Sequence, residues 1–346
     1  MRILSIGGMN GLSNTCLHRH WALEKIADEI DVIDTYSPST LKYKIIHHIN
    51  LYSPIKLNLP DPLHINKKII KQVQVKQYDL IWIDKGNIIY PSTLKTIKKL
   101  QPNCILVHYM IDDIMNPHHM SKQIKDTIPL YDYYIMNRDK NKEELLKLGC
   151  KHPIIVPMSY ENTFHYPRQL TSNEIKELGG EVGFIGTFEK ERSQSILYLV
   201  DHGIPVRVWG NGWEHLKNYS PLLSIECKGL FNENFCKAIA AFKINLGFLR
   251  KKSRDLHTTR STEIPACGGF LLAERTSEHQ AMFKEGEEAE FFSSNEELLE
   301  KCKYYLSNEE ERKQIAATGL KRCQTSGYSN IEAIKKIISE IIPSIK

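Results

Sequence analysis

No apolar run in this sequence approaches the ~18 residues that a membrane-crossing helix requires, so no span is expected. The eight cysteines (Cys16, Cys104, Cys150, Cys227, Cys236, Cys267, Cys302 and Cys323) never form a C-x-x-C pair. The opening Met1-Arg2-Ile3-Leu4 does not read as a secretory leader. Free thiols in a reducing cytoplasm are therefore expected, rather than disulfides or a zinc site. Charge is not strongly of one sign: 46 basic against 41 acidic side chains leave +5, spread along the chain. That excludes the dense stripe of a duplex-DNA footprint and fits a basic cleft for phosphates. The G-x-S-x-G elbow, the H-E-x-x-H zinc pattern, G-x-G-x-x-G and a P-loop Lys-Ser/Thr are all missing, which argues against the corresponding hydrolases, metalloproteases and nucleotide-binding motifs.

What is present is length and alternation. At 346 residues the chain exceeds one ordinary domain of ~100–200 residues. Short apolar strands at residues 2–6, 31–34, 78–83, 104–108 and 132–136 alternate with helical patterns near residues 15–29, 66–76, 91–100 and 139–148. This is the rhythm of a parallel sheet covered on both faces. Periodicity fades between Ser159 and Gly180, then resumes with strands near residues 181–186, 205–209, 243–248, 270–273 and 289–292. The expected organisation is an N-terminal Rossmann-like domain over 1–165, a second over 166–326, and a C-terminal helix in 327–346 free to cross back. Ligands in such sheets sit beyond the carboxyl ends of the strands, and with two domains the natural place is the cleft between them.

Several strand ends carry chemistry. Gly7-Gly8-Met9-Asn10-Gly11 follows the first strand and permits close backbone approach to a ligand, or simply makes a tight turn. His108 through His119 holds Asp112, Asp113, His118 and His119 at another strand end, suited to substrate hydroxyls or a mixed metal site, or to an aspartate capping the next helix. In Gly186-Thr187-Phe188-Glu189-Lys190-Glu191-Arg192, Lys190 and Arg192 oppose the dipole of the helix they open, a conflict that a bound diphosphate would relieve. Trp209-Gly210-Asn211-Gly212-Trp213 offers aromatics beside a glycine turn for a base or sugar face, though Trp209 also suits a core.

The densest stretch runs from Arg254 to Gly269, just after Arg250 and Lys251, and is followed by the apolar Phe270-Leu271-Leu272-Ala273. It sets Asp255 and Glu263 eight apart, ahead of and within a short helix, with Arg250, Lys251, Arg254 and Arg260 beside them. Basic side chains and helix N–H groups could cradle a pyrophosphate, Glu263 could accept ribose hydroxyls, and Asp255 would lie nearer a sugar. Alternatively Asp255 pairs with Arg254 or Lys252 and Glu263 bonds inside its helix. Cys267 reads as core, since no paired base accompanies it.

Thr262 through Glu274 resembles the signature of CgeB-like (spore-maturation type) glycosyltransferases, related to glycosyltransferase families 4 and 1. Gly183-Phe184-Ile185-Gly186-Thr187, the Gly-Asn-Gly-Trp turn and the tail from Glu309 to Gly319 share the likeness, which covers about 181–328. The resemblance implies an α/β GT-B fold, two Rossmann-like parallel-sheet domains facing a central cleft, with the donor on the C-terminal and the acceptor on the N-terminal domain. It implies an E-x7-E pair in which Glu263 holds the donor ribose and Asp255, one methylene shorter than the usual Glu, touches the transferred sugar. His108 is the nearest match to a donor-contacting histidine, and Arg192, Arg250 and Lys251 are candidates for gripping the diphosphate.

The expected function is thus retaining, metal-independent hexosyl transfer from a nucleoside diphosphate sugar to an unidentified glycan, lipid, protein or small molecule. Asp255, His108 and Asp112 are the catalytic candidates. Glu263, Arg260, Arg192, Lys190, Gly186, Thr187, Asn211, Gly212, Trp213, Arg250, Lys251, Gly7 and Gly8 are the donor-binding ones. No cofactor, metal or nucleic acid is implied, and the protein is expected in the cytoplasm with peripheral membrane contact open. A nucleotide-sugar-binding protein without turnover and a sugar-nucleotide epimerase are the alternatives.

Overall fold

The computed structural model describes residues 1–37, 40–54 and 56–342, so the last four residues of the expected C-terminal segment lie outside it. The chain forms two compact units. The first holds Met1–Pro157, Lys252–Arg254 and the segment from Ile331 on; the second holds Met158–Lys251 and Asp255–Asn330.

In the first unit, strands β1 (Arg2–Gly7), β2 (Glu29–Asp34), β3 (Leu80–Asp84), β4 (Ile105–Tyr109), β5 (Tyr133–Met136) and β6 (His152–Ile155) form one parallel sheet in the order β2-β1-β3-β4-β5-β6. Its helices are α1 (Thr15–Glu24), α2 (Leu41–Tyr52), α3 (Ile65–Val75), α4 (Pro91–Leu100), α5 (Lys122–Thr127) and α6 (Asp139–Lys147). The sequence explains the positions. Leu80-Ile81-Trp82-Ile83-Asp84 is buried at every residue, as a central strand covered on both faces must be. Glu29-Ile30-Asp31-Val32-Ile33-Asp34 alternates acids with apolar residues and stands at the edge.

Strand alternation sorts the core into two layers. Leu4, Ile6, Ile81 and Ile83 meet Ile65, Ile69 and Val73 of α3 and Leu94 and Ile97 of α4. On the opposite face, Ile3, Leu80, Trp82 and Val107 meet Leu23 of α1 and Ile334, Ile337, Ile338 and Ile341. The last four lie on the C-terminal helix (Asn330–Ile341, α14 below), which packs on the first sheet because its apolar residues recur at i, i+3, i+4 and i+7.

The second unit has strands β7 (Gly180–Ile185), β8 (Val206–Trp209), β9 (Leu223–Ile225), β10 (Phe242–Gly247), β11 (Leu271–Glu274) and β12 (Glu290–Phe292), all parallel, in the order β12-β11-β10-β7-β8-β9. Helices α7 (Ser172–Leu178), α8 (Lys190–Asp201), α9 (Asn232–Ala241), α10 (Thr259–Ala266), α11 (Ser277–Met282), α12 (Asn295–Ser307) and α13 (Glu309–Thr325) accompany them, and α14 (Asn330–Ile341) closes the chain. Counted within the unit this is the 3-2-1-4-5-6 order of dinucleotide-binding sheets, whose switch point falls between β7 and β10; in the first sheet it falls between β1 and β3.

Three local features differ from the sequence reading. The aperiodic stretch before β7 contains α7, held by a capping box in which the Thr171 N–H donates to Glu174 at 2.8 Å. Residues 158–165 join the second unit, because Tyr160 bridges to Ser329 and its carbonyl accepts the Asn330 N–H at 2.9 Å. Helix α2 lies where the sequence reading placed no element.

Candidate functional site

At the carboxyl ends of β7 and β8 two glycine turns interlock. The Gly186 N–H donates to the Trp209 carbonyl at 2.9 Å and the Phe188 N–H to the Asn211 carbonyl at 3.0 Å. Gly210 has φ 152°, and a Cβ there would stand 2.0 Å from the Gly186 oxygen, so only glycine lets the turns meet. Thr187, Asn211 and Gly212 are left exposed at the rim. Trp213 is not. It is fully buried, edge-on to Phe184 and Phe188 at 5.9 and 5.1 Å, with its indole N–H donating to the Gly186 carbonyl at 2.9 Å. The expected stacking platform is instead a core pillar under the loop.

Arg192 sits in the first turn of α8, buried, with Nη1 donating to the Thr187 carbonyl at 3.1 Å and its carboxylate neighbour Glu189 at 3.9 Å. Its Nε finds no hydrogen-bond acceptor among the described residues. Burial lowers the Arg192 pKa; Glu189 works against that, and the positive charge of Arg250 adds to it. A buried, under-paired cation beside another cation at a helix N-terminus is costly alone and complementary to an anion. Lys190 is exposed at the start of the same helix. Lys251 is exposed and ion-paired to Glu274. Arg192, Lys251, Glu274 and Arg275 line a cavity of about 260 Å³ with Phe248 and Ser293 at the ends of β10, β11 and β12.

Asp255 corrects an expectation. Its carboxylate is 0% exposed and accepts from Arg250 Nε at 3.0 Å. Its observed partner is thus neither Arg254 nor Lys252; it orients Arg250, whose own side chain is 43% exposed. Arg254 is corrected too. It adopts φ 51°, and its guanidinium binds Asp113 at 2.6 and 2.7 Å and Glu144 at 2.8 and 3.0 Å, so it offers no grip for phosphate. Burial pushes the Asp113 carboxyl up, but hydrogen bonds from Arg254 and Asn141 outweigh it and hold the pKa low.

Glu263 and Arg260, one turn apart on α10, form a close ion pair beside β7: Arg260 Nε lies 3.4 Å from the Ile185 carbonyl, and its guanidinium covers the Phe235 ring at 4.1 Å. His165 completes this group, unforeseen from the sequence. Its Nδ1 accepts the Glu161 N–H at 3.0 Å, which puts the proton on Nε2, 3.7 Å from Glu263. It lay in an aperiodic stretch with no motif to mark it. Cys267 is core: the Cys236 thiol beside it and burial push its pKa well up.

The first unit has its own cavity, about 280 Å³, at the β1/β3 switch point, lined by Gly8, Asn14, Tyr36, Tyr43, Asp84 and Lys85 among others. Gly8 thus lines a cavity, while Gly7 packs its α-carbon on Asp84, where a Cβ would stand 3.0 Å away. The floor is electrically closed. Asp84 is gripped by Arg19 at 2.5 and 2.9 Å and accepts the Cys16 thiol at 3.1 Å. Burial and Asp84 push that thiol up to about 12, so it is no nucleophile. Lys85 reaches Asp112 at 3.4 Å.

His108 is a further correction. It is buried, stacked on Tyr131 at 4.6 Å, and donates from Nε2 to the Lys85 carbonyl at 2.9 Å, bracing a turn in which Lys85 and Gly86 both have positive φ. Burial lowers its pKa to about 4, so it is neutral and out of reach of a sugar. Asp113 Oδ1 accepts the Met115 N–H at 3.0 Å within the loop after β4, while Ser121 caps the helix that follows, so the capping role weighed above falls to neither aspartate. Among the described residues no group of three or more His, Cys, Asp or Glu is arranged to hold a metal ion.

Two parallel six-stranded sheets with flanking helices define the GT-B class. Anabaena HepE, solved in complex with UDP-glucose, is similar over 100% of both chains at 14% identity and TM-score 0.63. Sucrose-phosphate synthase from Thermosynechococcus elongatus is similar over 99% of this chain and 100% of its own, at 13% identity and TM-score 0.61. A putative UDP-N-acetylglucosamine 2-epimerase from Listeria monocytogenes covers 100% of this chain and 96% of its own at 11% identity and TM-score 0.55. Within that class, residues 192–339 match the model of the family described as Glycosyl transferase-like. A search of curated proteins finds no match. No helix among the described residues is long and apolar enough to cross a membrane.

Proposed function

We propose that this protein transfers a hexosyl group from a nucleoside diphosphate sugar to a hydroxyl acceptor, with retention and without a metal ion, in a reducing cytoplasm. The observation that carries the reading is the buried Arg192, with an Nε that has no partner among the described residues, beside Arg250 at the carboxyl end of a dinucleotide-type sheet. A diphosphate supplies the missing acceptors and the missing negative charge.

In this reading Arg192 and Arg250 hold the diphosphate, Arg250 being aimed by Asp255. Glu263, aligned by Arg260 and His165, accepts the ribose hydroxyls. Thr187, Asn211 and Gly212 line the rim of the same site. As the bond from sugar C1 to the diphosphate oxygen breaks, the fixed cations stabilise the charge that develops on the leaving group. The acceptor oxygen bonds to C1 and its proton goes to the departing diphosphate. The match from residue 192 onward covers these residues except His165 and Thr187, and the likeness of 262–274 to the CgeB-like signature supports that subtype as part of the proposal. The cavity of the first unit, polar but charge-neutralised, suits a hydroxylated acceptor.

A thermal-shift screen with UDP, GDP, dTDP and their sugars tests the donor site, with stabilisation by at least one expected. Glu263→Ala should remove donor binding; unchanged affinity would sink that assignment. Conversion of the donor to an epimer with no acceptor present would replace transfer by epimerisation, and binding without turnover across an acceptor panel would leave a sensor.

A further inference from the structure

Residues 35–111 contain eleven lysines, no arginine, no glutamate and three aspartates, a net of +8 where the whole chain carries +5. The other 269 residues therefore sum to −3. Helices α2, α3 and α4 have no acidic residue at all. Lys76, Lys85 and Lys98 are ion-paired, but the lysines of α2 and α3 are exposed and make no ion pair among the described residues.

On this basic ground α2 carries an apolar stripe facing outward. Leu41, Ile45 and Tyr52, at i, i+4 and i+11, are 74%, 51% and 76% exposed, and the His48 ring between them lies 4.6 Å from that of Tyr52, tilted by 49°. Only Asn50 of the helix is buried. Scattered surface apolar residues need no explanation, but a row along one helical face does. Lys42 and Lys44 flank the row. Thr40 and Tyr43, at the start of the same helix, line the first unit's cavity.

We propose that α2 docks on an anionic bilayer surface, with Leu41, Ile45 and Tyr52 at the acyl boundary and Lys42 and Lys44 among the lipid phosphates. Charge complementarity selects this occupant. A second copy of the same surface would set lysine against lysine, whereas an anionic leaflet attracts every basic residue near it and accepts the apolar row. The acid-free α3 and α4 strengthen the long-range attraction. The inference stands apart from the glycosyl-transfer reading, since no nucleotide is involved.

The test is sedimentation of the full chain with vesicles of phosphatidylcholine alone or mixed with phosphatidylglycerol. Binding is expected only with the anionic lipid, weakening as salt is raised. Lys42→Gln and Lys44→Gln should each weaken it about fivefold, and Leu41→Glu/Ile45→Glu by more than about tenfold. The melting temperature of these variants should match the parent, because the substituted side chains are exposed. Failure to bind anionic vesicles, or binding undiminished in Leu41→Glu/Ile45→Glu, overturns the proposal. So does finding that the same double substitution abolishes self-association or a nucleic-acid complex while vesicle binding persists.

Discussion

The carboxyl ends of the two sheets occupy equivalent topological positions and have opposite electrostatics. In the first unit the charges that meet at the β1/β3 switch point are paired, Arg19 with Asp84 and Lys85 with Asp112, and further along the sheet Arg254 is paired with Asp113 and Glu144. In the second, Arg192 is buried with Glu189, 3.9 Å away, as its ion-pair partner among the described residues, and Arg250 is half exposed beside Asp255. A closed network holds its shape and offers a neutral ligand hydrogen bonds and aromatic faces. An open one stores an unfavourable cation that an anion relieves.

The contrast can be broken from either side. Arg19→Met should cost the fold about 3–5 kcal/mol in urea denaturation, because Asp84 is left buried and uncompensated, and should leave nucleotide affinity in the second unit unchanged. Second is pH. The His108 pKa is near 4 in the fold against 6.5 unfolded, so the unfolded chain takes up a proton first as pH falls. The stabilisation is complete above pH 6.5 and declines toward pH 4, by about 3 kcal/mol at the lower limit. His108→Gln, which can still donate to the Lys85 carbonyl, should flatten this part of the profile. His279 in the second unit, buried with a pKa of about 4, should keep its own share of the decline.

Arg192→Met should weaken nucleoside diphosphate binding by about ten- to a hundredfold in calorimetry while holding or raising the melting temperature, since a buried, under-paired charge is removed. A fall in stability with unchanged affinity would erase the contrast between the units. The smallest effect belongs to Lys251→Ala. Its ion pair with Glu274 is solvent-exposed, so stability should change by less than about 1 kcal/mol, with donor affinity slightly lower at low salt.

Much of this was legible in the chain. Strand–helix alternation gave both sheets, α4 begins and ends where the pattern predicts, and the α8 basic residues marked the phosphate candidate through their conflict with the helix dipole. The E-x7-E-like spacing drew attention to Arg254 through Gly269, but the partners of Arg254 and Asp255 are not those the spacing suggests. Spacing fixes which residues are neighbours in sequence; it does not fix their direction. Arg254 and Asp255 are adjacent, yet one binds Asp113 and Glu144 and the other Arg250.

His165 and α2 escaped for different reasons. His165 acts through a contact with Glu263, almost a hundred positions along the chain, that no local pattern encodes. Helix α2 turns its lysines and apolar row outward, so it lacks the stripe toward the core that betrays a helix. By itself the sequence determined where backbone elements form and how many sheets they build, because periodicity and glycine turns act locally. Only the tertiary structure decided which charges are neutralised. Arg192 and Arg19 are both buried arginines in the first half of a helix after a β-strand, and what separates a candidate phosphate grip from a structural ion pair is the presence of Asp84, sixty-five residues from Arg19.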